Sequence, residues 1–127
     1  MKTPRDLAAA LLRKAESDLT GARLCLDNEV ALDTACFHAQ QCAEKALKAF
    51  LVLSGASYSL THNLEKLIEQ CAAIDPGFKT LLDDGAALTP FAVGLRYDDD
   101  FWPSIEDTVE AVQRAEKIRE FVLGRNL

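Results

Sequence analysis

Apolar residues recur three and four positions apart along almost the whole chain, the spacing of one face of an α-helix. The series Leu7, Leu11, Ala15, Leu19, Ala22 and Leu26 marks a first helix. Thr3 stands as its N-cap, Pro4 occupies the first helical position, and Asp6 lies near the positive end of the dipole. The pattern stops near Asn28 and resumes at about Val30. A second helix then runs to Ser54, ended by Gly55. Its stripe is Ala35, Ala39, Cys42, Ala43, Ala46, Phe50 and Leu53, mostly small residues that let a neighbouring helix approach closely. Two long helices joined by a very short link form an antiparallel hairpin.

Beyond a connection from Ser54 to Leu60, the pattern predicts three further helices. One begins around Thr61 or His62 and buries Leu64, Leu67, Ile68 and Cys71. Asp75-Pro76 caps and starts the next, with Phe78, Leu81, Leu82 and Ala86 inward, and Pro90 interrupts it. An irregular stretch from Pro90 to Pro103 follows. Ser104 and Asp107 then resemble a capping box, opening a last helix with the stripe Ile105, Val109, Val112, Ala115, Ile118 and Val122. Its acidic residues come early, and Arg114, Lys117 and Arg119 come late, an order that suits the dipole. No strand pattern competes. The predicted fold is all-α: one domain over residues 1–127, an up-and-down bundle of about five helices, two of them long and antiparallel.

Composition narrows the function classes. The 127 residues suffice for a single core, and 49% hydrophobic with 27% charged is an ordinary globular balance. A net charge of -6 argues against broad binding to nucleic acid or anionic membrane. No apolar run approaches the roughly 20 residues of a membrane span, and the N-terminus lacks the apolar core of a signal peptide, so the cytoplasm is expected. Cys25, Cys36, Cys42 and Cys71 show no zinc spacing and sit at or beside apolar helical positions, as small buried hydrophobes do. Neither a metal nor a cofactor is expected: Glu-x-x-His pairs, a Gly-rich phosphate loop and a nucleophile elbow are all missing.

The candidate chemistry begins on the second helix, where His38, Gln41, Glu44, Lys45 and Lys48 fall on a polar side with Phe37 beside them. Glu44 and Lys48 are four apart with the acid first, the favourable orientation for an ion pair. Such a row either satisfies itself as a solvated face or serves a ligand or subunit. His62, at a helix start, suits capping or packing. Cys42 and His38 share a helical spacing, but a buried thiol without a third orienting group makes a poor nucleophile. The run Arg96-Tyr97-Asp98-Asp99-Asp100-Phe101-Trp102 suggests an ordered loop with internal ion pairs, with Phe101 and Trp102 as anchors that pin the loop or a partner.

Three segments together resemble the HEPN-domain family: Gln41, Ala43, Glu44, Lys45, Ala46 and Lys48 within Phe37–Leu51, the start Thr61-His62-Asn63-Leu64, and Leu95-Arg96-Tyr97-Asp98. The resemblance spans nearly the whole chain. It implies a bundle that forms a homodimer, often beside a separately encoded minimal nucleotidyltransferase. It also implies metal-independent RNA cleavage by an Arg and, four to six residues on, a His. Arg96 matches the Arg, but Phe101, Trp102 and Pro103 occupy the His positions. Arg stays protonated and cannot replace His as a base. The expected function is therefore a non-catalytic, homodimeric module. It would pair with a nucleotidyltransferase or bind a nucleotide, through His38, Gln41, Glu44, Lys45, Lys48, His62, Arg96 and Tyr97. The alternative is a ribonuclease, the toxin of a toxin–antitoxin pair, acting on RNA with Arg96 and a substitute base such as His62 or His38.

Overall fold

The structure, a computed structural model, describes residues 1–93 and 95–125, with Arg96 described through its backbone alone. Five α-helices form the bundle: α1 Pro4–Asp27, α2 Leu32–Leu53, α3 Leu64–Ala72, α4 Leu82–Leu88 and α5 Ile105–Leu123. Short 3-10 turns at Pro76–Leu81, Thr89–Phe91 and Leu95–Tyr97 fill the connections. No strand occurs among the described residues. No helix among them is long and apolar enough to cross a membrane.

The capping residues act largely as the sequence predicts. Thr3 and Asp6 form a reciprocal capping box on α1, and Ser104 and Asp107 form another on α5. Gly55 takes the left-handed conformation, φ 76°, after α2. The Ala56 amide donates to the Leu51 carbonyl and the Gly55 amide to Val52, which closes the last turn as a Schellman motif. The same pair of bonds ends α1, from Val30 to Cys25 and from Glu29 to Leu26. There the left-handed residue is Glu29, φ 53°, and Ala31 at φ 47° enters α2 without a side-chain cap. This tight turn folds α1 and α2 into the predicted hairpin.

α2 is the central element and packs on α1, α5 and α3. Ala35, Ala39, Cys42, Ala43 and Ala46 are fully buried, so the small-residue stripe is a seam of close helix approach. α5 runs antiparallel to α1, fixed by ion pairs of Arg119 with Glu16 and of Arg23 with Glu116. Its start therefore lies beside the start of α2, where the Cys36 thiol meets the Thr108 hydroxyl at 3.7 Å. At the other end, Phe78 is sandwiched between Phe50 and Phe121, ring centroids 4.5 and 4.8 Å apart. α4 presses Gly85 against Ile68 and Leu64 of α3, with no room there for a side chain.

Several expectations are corrected. α2 starts at Leu32, and α3 starts at Leu64 with Asn63, not Thr61 or His62, as its N-cap. The fourth helix is split: residues 76–81 wind tightly and α4 proper begins at Leu82. Leu7 and Ala86 are exposed, while Asp84 and Gly85 are buried in Ala86's stead. The turn winding over residues 76–81 shifts the phase of α4, so a stripe counted through it at 3.6 residues per turn fails. The late basic residues of α5 act laterally: Arg114 and Lys117 clamp Asp84, and Arg119 reaches Glu16.

Candidate functional site

After α1, α3 and α5 have covered α2, one strip of it still meets solvent. It carries Thr34, Phe37, His38, Gln41, Lys45 and Lys48. Helical geometry places these residues in line, and the sequence-predicted row is this strip. Glu44 is the exception. It turns inward and is 4% exposed, so the row is not simply a solvated face.

Two buried carboxylates organise the strip. The first is Asp18 of α1, whose Oδ1 lies 2.8 Å from His38 Nδ1 and whose Oδ2 accepts from Lys45 Nζ. The second is Glu44. Its Oε1 lies 2.8 Å from His62 Nδ1 and accepts from Gln40 Nε2 at 3.2 Å, while Oε2 accepts from Lys48 Nζ at 3.0 Å. Gln40 is fully buried and belongs to the second of these. Its Oε1 accepts from Gln41 Nε2, and its Nε2 also donates to the His62 carbonyl. Lys48 extends beneath the Tyr58 ring, 5.2 Å from its centre. Burial pushes the Glu44 carboxyl up, but hydrogen bonds from His62, Lys48 and Gln40 outweigh it, leaving the group below its ordinary value.

The arrangement fixes the chemistry of both imidazoles. An ionised carboxylate only accepts, so Nδ1 must carry the proton on His38 and on His62. Each Nε2 is then left as an acceptor in the neutral ring and a donor in the charged one. The His38 ring stands edge-on to Phe37, centroids 5.4 Å apart, beside a cleft of about 350 Å³ bounded by Asp33, Thr34, Phe37 and His38. The row's two ammonium groups and two carboxylates balance in charge.

The structure thus joins His38 with Lys45, and Glu44 with Lys48 and His62, with Gln41 attached through Gln40. His62 holds the connection before α3 against α2 and caps nothing. Tyr97 lies at the end of the strip, where with Asp33 it borders a second cleft, of about 170 Å³. The Arg96 side chain lies outside the described residues. The loop's expected internal ion pairs would need that side chain and lie outside the described residues too; Asp98 accepts from the Asp100 amide. Phe101 packs on Phe91 at 5.7 Å, and Trp102 is largely exposed.

Sequence reasoning missed Asp18 and Gln40. A signal existed for both. Asp18 continues the series Leu11, Ala15, Asp18, Ala22, and Gln40 falls in Cys36, Gln40, Ala43, Leu47. A polar residue in an apolar stripe needs a partner when buried. The thiols are not part of the site. All four cysteines are free, and burial pushes Cys42 and Cys71 up to about 12. Among the described residues no group of three or more metal-ligating side chains forms.

The HEPN domain profile matches residues 8–126, nearly the full length of the bundle. The chain belongs to the HEPN-domain family. Its helical arrangement is similar to the crystal structure of ST0689, an archaeal HEPN homologue, at TM-score 0.75 and 26% identity, covering 98% of each chain. It is equally similar to TT1696 from Thermus thermophilus, at TM-score 0.75 and 26% identity, covering 91% of this chain and 95% of that one. No functionally curated protein matches in sequence. Within this HEPN domain, the family-like Gln41, Lys45 and Lys48 of α2 lie on the solvent-facing strip, Glu44 supports it from inside, and Ala43 and Ala46 lie in the buried seam.

Proposed function

We propose that this HEPN domain is a non-catalytic binding and assembly module. It forms a homodimer and either pairs with a separately encoded nucleotidyltransferase or binds a nucleotide, with the α2 strip as its recognition face. One observation carries this reading: every charged group of the strip is already held by a partner within the chain. Asp18 and Glu44 fix the ammonium groups of Lys45 and Lys48 in place, so these present ordered donors to an anionic or polar ligand. The sequence after Arg96 agrees, because Phe101, Trp102 and Pro103 supply no base. Light scattering on the eluting protein at tens of micromolar tests the dimer, and a monomer there sinks it. Calorimetric titration with nucleoside triphosphates tests the ligand arm. Binding should weaken in Lys45→Met and Lys48→Met, and equal affinity in both would remove the strip from the reading.

A second reading has its own support. Each imidazole of His38 and His62 rests its Nδ1 on a buried carboxylate and leaves Nε2 outward, the posture of a general base. A ribonuclease using one of them in place of the missing His would cleave RNA in EDTA. Cleavage that disappears in Arg96→Ala would overturn the non-catalytic reading.

A further inference from the structure

The His62 ring is held from one side only. Its Nδ1 lies 2.8 Å from Glu44 Oε1, its side chain is 56% exposed, and its Nε2 makes no hydrogen bond among the described residues. The carboxylate beneath it is fully engaged. Glu44 is buried, and its oxygens accept from His62, Gln40 and Lys48. It therefore keeps the proton on Nδ1 and shows solvent no free oxygen. The Lys48 ammonium is turned onto Glu44 and stands over the Tyr58 ring. What this part of the strip offers a ligand is thus set by His62 Nε2: a lone pair in the neutral ring, an N–H with a positive charge in the protonated one. The surroundings leave that choice to the proton. From α2 come Glu44 and Lys48, already paired with each other. From the first turn of α3 come Glu65 and Lys66, opposite in sign and both exposed. Residues 54–63 carry no charged side chain besides His62 and add the Tyr58 hydroxyl. The turn Thr89–Phe91, whose Thr89 hydroxyl accepts from the Leu64 amide, adds no charge. Protonation changes the charge at this point by one unit, whatever stands further off.

We infer that His62 is a proton-gated phosphate contact of the α2 strip: it binds a phosphate oxygen through Nε2–H only with its ring charged, so the anion and a proton bind together. The inference rests on the nucleotide-binding arm of the proposed function and deepens it, because it names the group recognised at this point and couples it to pH. A neutral Nε2 would set its lone pair against a phosphate oxygen, acceptor against acceptor. The charged ring makes a charge-assisted bond outward to the phosphate and keeps its bond inward to Glu44. Lys48 adds a second positive charge beside it. A cationic ligand fits less well, since the buried carboxylate has no oxygen left to accept from it. The charged ring also turns the His62–Glu44 contact into a full ion pair, which tightens the clasp on the connection before α3. A ring that must be charged to hold phosphate is not at the same time a base, which separates this role from the ribonuclease reading. Linkage gives the sign: affinity for the anion is highest in mild acid and falls as the ring loses its proton, by up to about tenfold per pH unit.

The test is calorimetric titration of the full chain with ATP at about pH 6 and about pH 8, each in two buffers of different ionisation enthalpy, which counts the protons taken up. His62→Asn is the matched variant: its amide N–H can still donate to Glu44, but it does not titrate. From pH 6 to pH 8 the wild-type affinity should fall about tenfold more than that of His62→Asn, the scale of one lost charge-assisted hydrogen bond. Wild type should also take up more protons than the variant; the titration of ATP itself is common to both and cancels. Imidazole nitrogen NMR on the unaltered protein keeps the inference testable if the variant folds poorly. On addition of ATP near pH 7.5, His62 Nε2 should pass from acceptor to protonated while Nδ1 stays protonated. The chain has two histidines, so His38→Asn assigns the signals. Equal pH dependence or equal proton uptake in wild type and His62→Asn would overturn the inference, as would proton release on binding or an Nε2 signal that does not move at saturation. Proton-linked binding of a short single-stranded RNA, with none of ATP, would overturn the nucleotide as the source of the phosphate. ATP binding without the extra uptake sinks this inference alone. No ATP binding at either pH sinks the nucleotide reading and this inference with it.

Discussion

Removing the Glu44 carboxylate is expected to destabilise the bundle more than any other single change on the α2 strip. The group is 4% exposed and accepts from His62, Lys48 and Gln40 at once. Breaking a buried, hydrogen-bonded ion pair by deleting one partner costs about 3–5 kcal/mol when the remaining charge stays buried. Lys48 has a side chain only 14% exposed, but it is long and can swing towards water. That relaxation brings the expectation for Glu44→Ala to about 2–4 kcal/mol, and a fully buried Gln40 left short of an acceptor accounts for part of it. Glu44→Gln keeps the shape and one acceptor, so about 1–2 kcal/mol is expected. Replacing both ends, as Glu44→Leu with Lys48→Leu, should recover much of the loss, since a buried pair is not in itself strongly stabilising. Urea denaturation near pH 7 reads these differences. The pH dependence has a definite sign. The folded-state carboxyl lies below its ordinary value of 4.5, so its contribution is complete above that value and is lost as pH falls through the lowered one. The gap between wild type and Glu44→Gln should thus hold above about pH 5 and close under stronger acid. A gap below about 0.5 kcal/mol near neutrality, the scatter of ordinary surface substitutions, would refute the reasoning. A gap that fails to narrow as pH falls below 4.5 would do the same.

Other changes test the fold that carries the site. Glu29→Gly should raise stability by about 1 kcal/mol, because it places glycine at the left-handed position that ends α1; a lower melting temperature would contradict the cap geometry. Gly85→Ala should cost about 1–2 kcal/mol, since its new Cβ would stand 2.6 Å from Ile68 Cδ1 and 3.3 Å from Leu64 Cβ; unchanged stability would mean that α3 and α4 slide apart freely. Cys42 and Cys71 should resist alkylation at neutral pH until the protein unfolds, and rapid labelling of the native state by mass spectrometry would count against their burial.

Much of the fold was legible because helical period and capping are local. Thr3-Pro4, Gly55, Asp75-Pro76 and Ser104 with Asp107 each act within a turn or two of chain, so the hairpin and its long helices could be drawn from spacing. The errors fell where the period breaks, at the tightly wound residues 76–81 and at the Thr61–Asn63 connection. The α2 strip was also legible as a row. What it does with its charges was not, because a carboxylate's state depends on what the neighbouring helix brings to it.

The sequence by itself determined an all-α chain, the small-residue seam of α2, the polar row beside it and the missing His after Arg96. Each depends on residue type at a fixed local spacing. Only the tertiary structure decided that Glu44 turns inward, that Asp18 takes Lys45, and that His38 and His62 both hang from buried carboxylates by Nδ1. It alone brought Asp33 beside residues 95–102. The physical reason is that these pairings join residues 18 or more positions apart, whose meeting is set by helix packing and by the cost of burying an unpaired charge.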